Sequence, residues 1–204
     1  MYVPQAFAMD DLDQIRSFVD SHSFATLVTS TAGRSVATHI PLMYDATVGA
    51  QGVLLGHLAR ANEQWRSGDA EGLAIFTGPH AYISPGYYQS SNTVPTWNYV
   101  AVHVYGRVTF FDDDESLRDI LRRLVDKYER PRAAPWPWEE SAEYATRMLR
   151  EIVGLRLTIE RIEAKWKLNQ NHPAERRRRV IAALEALGGD ANQAVASLMR
   201  ETLD

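Results

Sequence analysis

The stretch V-P-T-W-N-Y-V-A-V-H, Val94 to His103, decides the fold. Proline and threonine introduce a strand, and Trp97, Tyr99, Ala101, His103 and Tyr105 then fall on one face at period two, opposite Asn98, Val100, Val102 and Val104. Beyond Asn98 the second face is purely aliphatic. The first carries large aromatic rings, a histidine and a phenol, a costly way to fill a core and a natural way to line a slot for a flat, hydrogen-bonding ring. The residues alone leave two readings open: an amphipathic barrel strand that holds no ligand, or the wall of a ring-binding site.

Outward from this strand, the first half of the chain reads as mainly β. After a short helix over Asp10 to Val19, strand patterns run over Phe24 to Thr29, Val36 to Tyr44, Val53 to Ala59 and Leu73 to Thr77. Turn material separates them at Ala32-Gly33, Gly49 to Gly52 and Ser67 to Gly72. The long strand continues to Phe111, with Gly106 expected at a bulge or bend. Helices follow. Leu117, Ile120, Leu121, Leu124, Val125 and Tyr128 form one apolar stripe behind acidic caps at Asp112 to Asp114. Prolines at 131, 135 and 137 make a loop, and a second helix is expected over Glu139 to Val153. Alternation from Leu155 to Glu160 marks a last strand that returns to the sheet. Residues 172–204 read as a helical hairpin, its first helix ended by Gly188-Gly189 and its second started by a capping box of Asp190 and Gln193.

Five blocks in order carry a resemblance: T-H-I-P-L (Thr38 to Leu42), G-H-L-A-R-A-N-E-Q-W (Gly56 to Trp65), G-P-H-A-Y-I-S-P (Gly78 to Pro85), V-P-T-W-N-Y, and K-W-K-L-N-Q-N (Lys165 to Asn171). Together they resemble the PaiB family of FMN-binding negative transcriptional regulators. The likeness thins only in Arg132 to Val153 and after Gly188. It implies an α+β fold, an FMN-binding split β-barrel related to pyridoxamine-phosphate oxidases. It also implies a helical insertion, a barrel domain over 1–171 and the C-terminal hairpin over 172–204, packed on the barrel or on the partner of a homodimer.

Composition sets the limits. The chain has 204 residues, enough for one domain with a helical appendage, and no cysteine, which excludes disulfides, thiolate nucleophiles and cysteine metal sites. The N-terminus lacks a basic segment followed by an apolar core, and no apolar run is long enough to cross a bilayer, so a cytoplasmic protein without a membrane partner is expected. Net charge is −4, which argues against a large phosphate-neutralising surface. The run Arg176 to Arg179 sits in a tail with five Arg, three Glu and two Asp, so a direct DNA contact is not supported by charge. The hairpin also reads as a helix-turn-helix, but its second helix offers Arg200 as its only base.

FMN demands cations and N–H donors for its phosphate, polar partners for the pyrimidine edge and apolar cover for its ring faces. By the resemblance, Arg60 at a strand end takes the phosphate, helped by Asn62 as cap of the following short helix and by His57. Thr38 and His39 border the ring, Trp97, Asn98 and Tyr99 give cover and an edge contact, and Lys167 and Gln170, beside Lys165 and Asn169, end the last strand near the pyrimidine carbonyls. Motifs for serine hydrolases, P-loop NTPases, dinucleotide-binding folds and zincins are absent, and the six histidines lack metal-ligand spacing. Two functions remain: an FMN-binding regulator that works through DNA or a regulatory protein partner, or an FMN-dependent oxidoreductase of flavin-reductase type.

Overall fold

The computed structural model describes residues 1–31 and 33–203. Ala32 of the expected turn and Asp204 of the expected hairpin lie outside the described residues. Seven strands are formed: β1 (Phe24–Thr31), β2 (Arg34–Pro41), β3 (Met43–Asp45), β4 (Val53–Ala59), β5 (Ala70–Ile83), β6 (Thr96–Phe111) and β7 (Ile152–Lys167). Five helices accompany them: α1 (Leu12–Ser21), α2 (Asp114–Glu129), α3 (Ala142–Met148), α4 (Ala174–Leu187) and α5 (Asp190–Glu201). The sheet order is β2-β1-β5-β6-β7-β4-β3. Its two outer strands, β2 and β3, are separated in sequence by the single buried residue Leu42. A sheet whose first and last strands are joined by one residue is closed on itself, which is the barrel.

The chain divides into two compact units, Met1–Phe18, Phe76–His103 and Glu163–Asp204 in the first, and Val19–Ile75 and Val104–Ile162 in the second. The three long strands β5, β6 and β7 contribute residues to each.

In the second unit the apolar interior is made by Leu27, Leu54, Leu58, Leu155 and Leu157, all fully buried. Helix α2 starts at Asp113, whose carboxylate accepts the Ser116 N–H at 2.9 Å. Its Ile120 and Leu124 pack with Met43, Val53, Leu55 and Phe111. Two glycines mark where strands approach too closely for a side chain. A Cβ on Gly56 would lie 2.8 Å from the Pro41 carbonyl oxygen, and one on Gly106 would lie 1.9 Å from that of Thr158. Gly106 is thus an obligatory close approach in a continuous strand.

The first unit is organised around Phe18, which meets Trp166 edge-on at 5.2 Å, and around the hairpin of α4 and α5. Val180, Leu184, Val195, Ala196 and Met199 are fully buried there.

Four expectations are corrected. The strand over Val36 to Tyr44 is two strands broken at Leu42. Strand β5 runs through Gly78-Pro79 to Ile83 rather than stopping at Thr77, with the buried positions slipping from even (Phe76, Gly78) to odd (Ala81, Ile83) across that dipeptide. The helix over Glu139 to Val153 is cut into a 3₁₀ turn (Trp138–Ser141), α3 and a second 3₁₀ turn (Leu149–Glu151). The capping box at Asp190 is not made: Gly189 is the cap, and Gln193 donates its side-chain amide to the Glu185 carbonyl at 3.1 Å.

Asp45 ties β3 to α2. It accepts from the Thr47 hydroxyl and N–H at 2.6 and 2.9 Å and from Arg123 at 2.6 Å. The Thr47 bonds, with Arg123 adding to them, hold its carboxyl down to about 2. A depressed carboxyl pKa gives stability that is complete above the ordinary value of 3.8 and is lost as pH falls through about 2. Asp45→Asn is therefore expected to lower the unfolding free energy at pH 7, with the gap from the parent closing as urea titrations move from pH 4 to pH 2. A gap that stays constant over that range would contradict the assignment.

Candidate functional site

In the first unit, the period-two contrast of the β6 sequence becomes two physical faces. Asn98, Val100 and Val102 are fully buried, whereas Trp97 is 53% exposed and Tyr99 half-buried. The Trp97 ring lies 5.8 Å from that of Tyr82, edge-on, and 6.2 Å from that of His80. Tyr82, on β5, is itself 46% exposed. The result is an open aromatic platform.

Two ammonium groups border it. Lys167 donates to the Trp97 carbonyl at 2.9 Å and to the Thr96 hydroxyl. Lys165 is buried, donates to the Tyr2 carbonyl at 3.0 Å and lies 5.6 and 5.3 Å from the Tyr2 and Tyr99 ring centroids. Burial, with repulsion from Lys165, lowers the Lys167 pKa. An anion placed there would relieve that repulsion.

Two expected members of this group point elsewhere. Asn98 sits on the opposite face from Trp97 and Tyr99, as alternation along a strand requires, and its amide donates to the Met199 sulfur at 3.3 Å while its carbonyl oxygen has no partner. Gln170 is spent on the end of β7: its oxygen accepts the Leu168 N–H at 2.7 Å and its amide donates to the Trp166 carbonyl at 2.6 Å. Asn169 adopts φ +64° and donates to the buried Tyr88 hydroxyl at 3.0 Å.

Thr38, His39, His57, Arg60 and Asn62 belong to the second unit. Asn62 is the cap expected of it, accepting the Gln64 N–H at 3.0 Å at the start of the 3₁₀ turn Glu63–Ser67. Its amide donates to the Thr38 hydroxyl at 2.9 Å, and that hydroxyl donates to the Gln64 carbonyl at 2.6 Å. Gln64, buried, also donates to Thr29 at 3.0 Å. The hub Gln64 escaped the sequence reading because a lone glutamine inside a polar block carries no periodic signal. His39 stacks on the exposed Phe24 at 6.4 Å. His57 is largely buried with its Nδ1 unpartnered, and burial lowers its pKa. It pairs with Gly154 of β7.

Arg60 is a latch. Its Nε donates to the Arg150 carbonyl at 2.6 Å, one terminal nitrogen to the Ile152 carbonyl at 3.0 Å and the other to Asp112 at 3.2 Å. The end of β4 is thereby tied to the start of β7. Of five N–H groups, three are committed and two remain.

Residues 1–161 match the family described as "Putative FMN-binding domain", and the chain belongs to that family. The "Protease synthase and sporulation protein PAI 2" of Bacillus subtilis is 37% identical over 206 residues, covering 100% of this chain and 98% of the relative. Among solved structures, the flavocytochrome Anf3 of Azotobacter vinelandii aligns with TM-score 0.55 at 16% identity, covering 81% of this chain and 72% of that one. An FAD- and haem-binding protein of Mycobacterium smegmatis aligns with TM-score 0.55 at 17% identity, covering 88% and 78%. These likenesses establish the split-barrel fold. The residues of the first unit suit FMN: an open ring platform and two cations beside it answer the ring and the anionic groups.

Removing the latch has a definite consequence. Arg60→Ala is expected to lower the unfolding free energy by about 1.5–3 kcal/mol, the range for hydrogen bonds made by a charged group. Unchanged stability, with a selective loss of FMN over riboflavin binding, would make Arg60 a phosphate ligand and not a latch.

Proposed function

We propose that the protein is an FMN-binding regulator of the PaiB type, acting as a cytoplasmic homodimer with the flavin ring covered by Trp97 and Tyr99. The observation that carries this reading is the exposed Trp97–Tyr82–His80 platform flanked by Lys165 and Lys167. Membership of the FMN-binding family and the full-length similarity to the Bacillus protein support it. Bound FMN supplies redox chemistry. The chain's own contribution is to stack on the ring, to place ammonium groups near its electron-rich edge and to hold that edge with the strand that Lys167 pins. An exposed tryptophan, with Tyr82 and Val94 also exposed, also supports a second subunit closing over the platform. Among the described residues no helix is long and apolar enough to cross a membrane.

Regulation through a partner or a metabolite, rather than by direct DNA contact, is supported by the fate of the arginine run. Arg177 is buried and donates to the carbonyl and hydroxyl of Thr202. Arg179 donates to the Tyr88 carbonyl at 3.0 Å and to the Gln89 carbonyl at 3.3 Å, and pairs with Glu175. Arg177 therefore ties α4 to the end of the hairpin and Arg179 ties α4 to the turn at Tyr88 and Gln89, so half of the run is spent before any phosphate arrives. Arg200 pairs with Glu185.

Titration with FMN, followed by flavin fluorescence, tests the site. Trp97→Ala is expected to weaken binding by about 0.5–1.5 kcal/mol through lost stacking, and Lys167→Gln by about 1.5–3 kcal/mol through a lost charged hydrogen bond. Binding unaffected by either change would move the flavin off this face. Sedimentation should give twice the 23.0 kDa chain mass; a monomer that binds FMN tightly would remove the second subunit from the proposal. In mobility-shift titrations at physiological salt, duplex DNA is expected to bind weakly and without sequence preference. Nanomolar, sequence-specific binding abolished by changing Arg176 and Arg178 to Gln would instead make the protein a direct repressor.

A further inference from the structure

Lys165 and Lys167 stand two residues apart on β7, and alternation along the strand turns both to one side, where Lys165 meets the Tyr99 ring and Lys167 the Trp97 carbonyl. Among the described residues neither ammonium group has a carboxylate partner. Glu163, the nearest acid along β7, pairs instead with the amino group of Met1. Lys165, only 7% exposed, is left with the Tyr2 carbonyl and the Tyr2 and Tyr99 rings. Lys167 is left with the Trp97 carbonyl and the Thr96 hydroxyl.

A buried cation ordinarily keeps a counter-charge beside it, because the loss of its hydration is otherwise uncompensated. Here the charge set beside it is a second cation, whose own pKa is lowered by burial and by that repulsion. Ring faces and carbonyl dipoles soften the cost without cancelling two positive charges. An ammonium group has three N–H donors, so Lys165 keeps two and Lys167 one for a ligand. What the pair lacks is negative charge, delivered at the border of an aromatic platform.

A flavin ring stacked on that platform supplies the charge in only one of its two stable redox states. The oxidised ring is neutral and offers carbonyl dipoles. Reduction takes up two electrons and one proton from an external reductant, makes and breaks no bond to the protein, and leaves one negative charge spread over the pyrimidine edge. The oxidised ring therefore leaves both ammonium groups uncompensated, and the reduced ring neutralises one of them.

We propose that the Lys165–Lys167 pair makes flavin occupancy depend on redox state: the site holds the anionic reduced ring more tightly than the oxidised ring, so that the chain loads with flavin in reducing conditions and releases it in oxidising ones. The proposal rests on the FMN-binding reading of the platform and adds to it the signal to which a regulator of this kind responds. Linkage makes the preference measurable, since a ring bound more tightly when reduced has its reduction potential raised by the same factor.

The test is an anaerobic titration of the full-length holoprotein with dithionite in mildly alkaline buffer, where free reduced flavin is already the anion. Bound FMN is expected to bind at least tenfold more tightly when reduced, a positive shift of about 30 mV from free FMN for a two-electron couple. The same shift is expected with lumiflavin, which has the ring and no phosphate. Lys167→Gln, and Lys165→Met as a neutral replacement for the buried side chain, should each shrink the shift, whereas Lys167→Arg, which keeps the charge, should preserve it; circular dichroism reports the folding of each variant. Equal affinity for the two redox states, or a shift that persists in the folded neutral variants, would overturn the proposal while leaving FMN binding intact. So would neutral variants that lose oxidised FMN and keep full affinity for lumiflavin, which would put the phosphate and not the ring at the lysines. Failure of the folded protein to bind flavin in either redox state would remove the FMN reading itself, and the proposal with it.

Discussion

Closure through Leu42 is the constraint from which the other features follow. Because one residue joins β2 to β3, the sheet has no freedom to open, and strands from opposite ends of the order must come within contact distance. The Pro41 carbonyl oxygen of β2 then lies 2.8 Å from where a Cβ on Gly56 of β4 would be. Buried Gln64, near the closure, is satisfied within the chain by Thr38, Thr29 and the Asn62 cap. Arg60 and Asp45 add charged ties at the strand ends, where backbone pairing runs out.

Within the first unit, Asn98, Val100 and Val102 are buried, Asn98 against Met199, and the aromatic face is left at the surface with two lysines from β7 beside it. Lys167 donates its hydrogen bonds to the backbone and hydroxyl of the strand that carries Trp97. The cation is thus held by the backbone that carries the ring.

Much of this was legible in the sequence, and the failures have physical causes. The two faces of β6 follow from periodicity, its start from the proline and threonine that introduce it, and the end of α4 from Gly188-Gly189. The Asn62 cap follows from residue type and position. Gly78-Pro79 reads as a stop, yet β5 absorbs it by slipping its buried register one residue. The tail of β7 lost its alternation because Ala164, Lys165 and Trp166 are buried in succession, so a sixteen-residue strand showed its period only over Leu155 to Glu160. Roles that depend on what a side chain meets were not legible. Asn98 belongs with Trp97 in the motif and points away from it in space, and Arg60 and the arginines of α4 spend their donors on backbone carbonyls that no pattern announces.

The central claim is that this barrel holds FMN, and the visible spectrum of the protein as purified, followed by reconstitution with excess FMN and removal of the unbound fraction, tests it most directly. The account predicts flavin absorbance at one FMN per chain after reconstitution, with quenched tryptophan fluorescence from the ring stacked against Trp97. A colourless protein that retains no FMN at saturating concentration, while remaining folded, would contradict it.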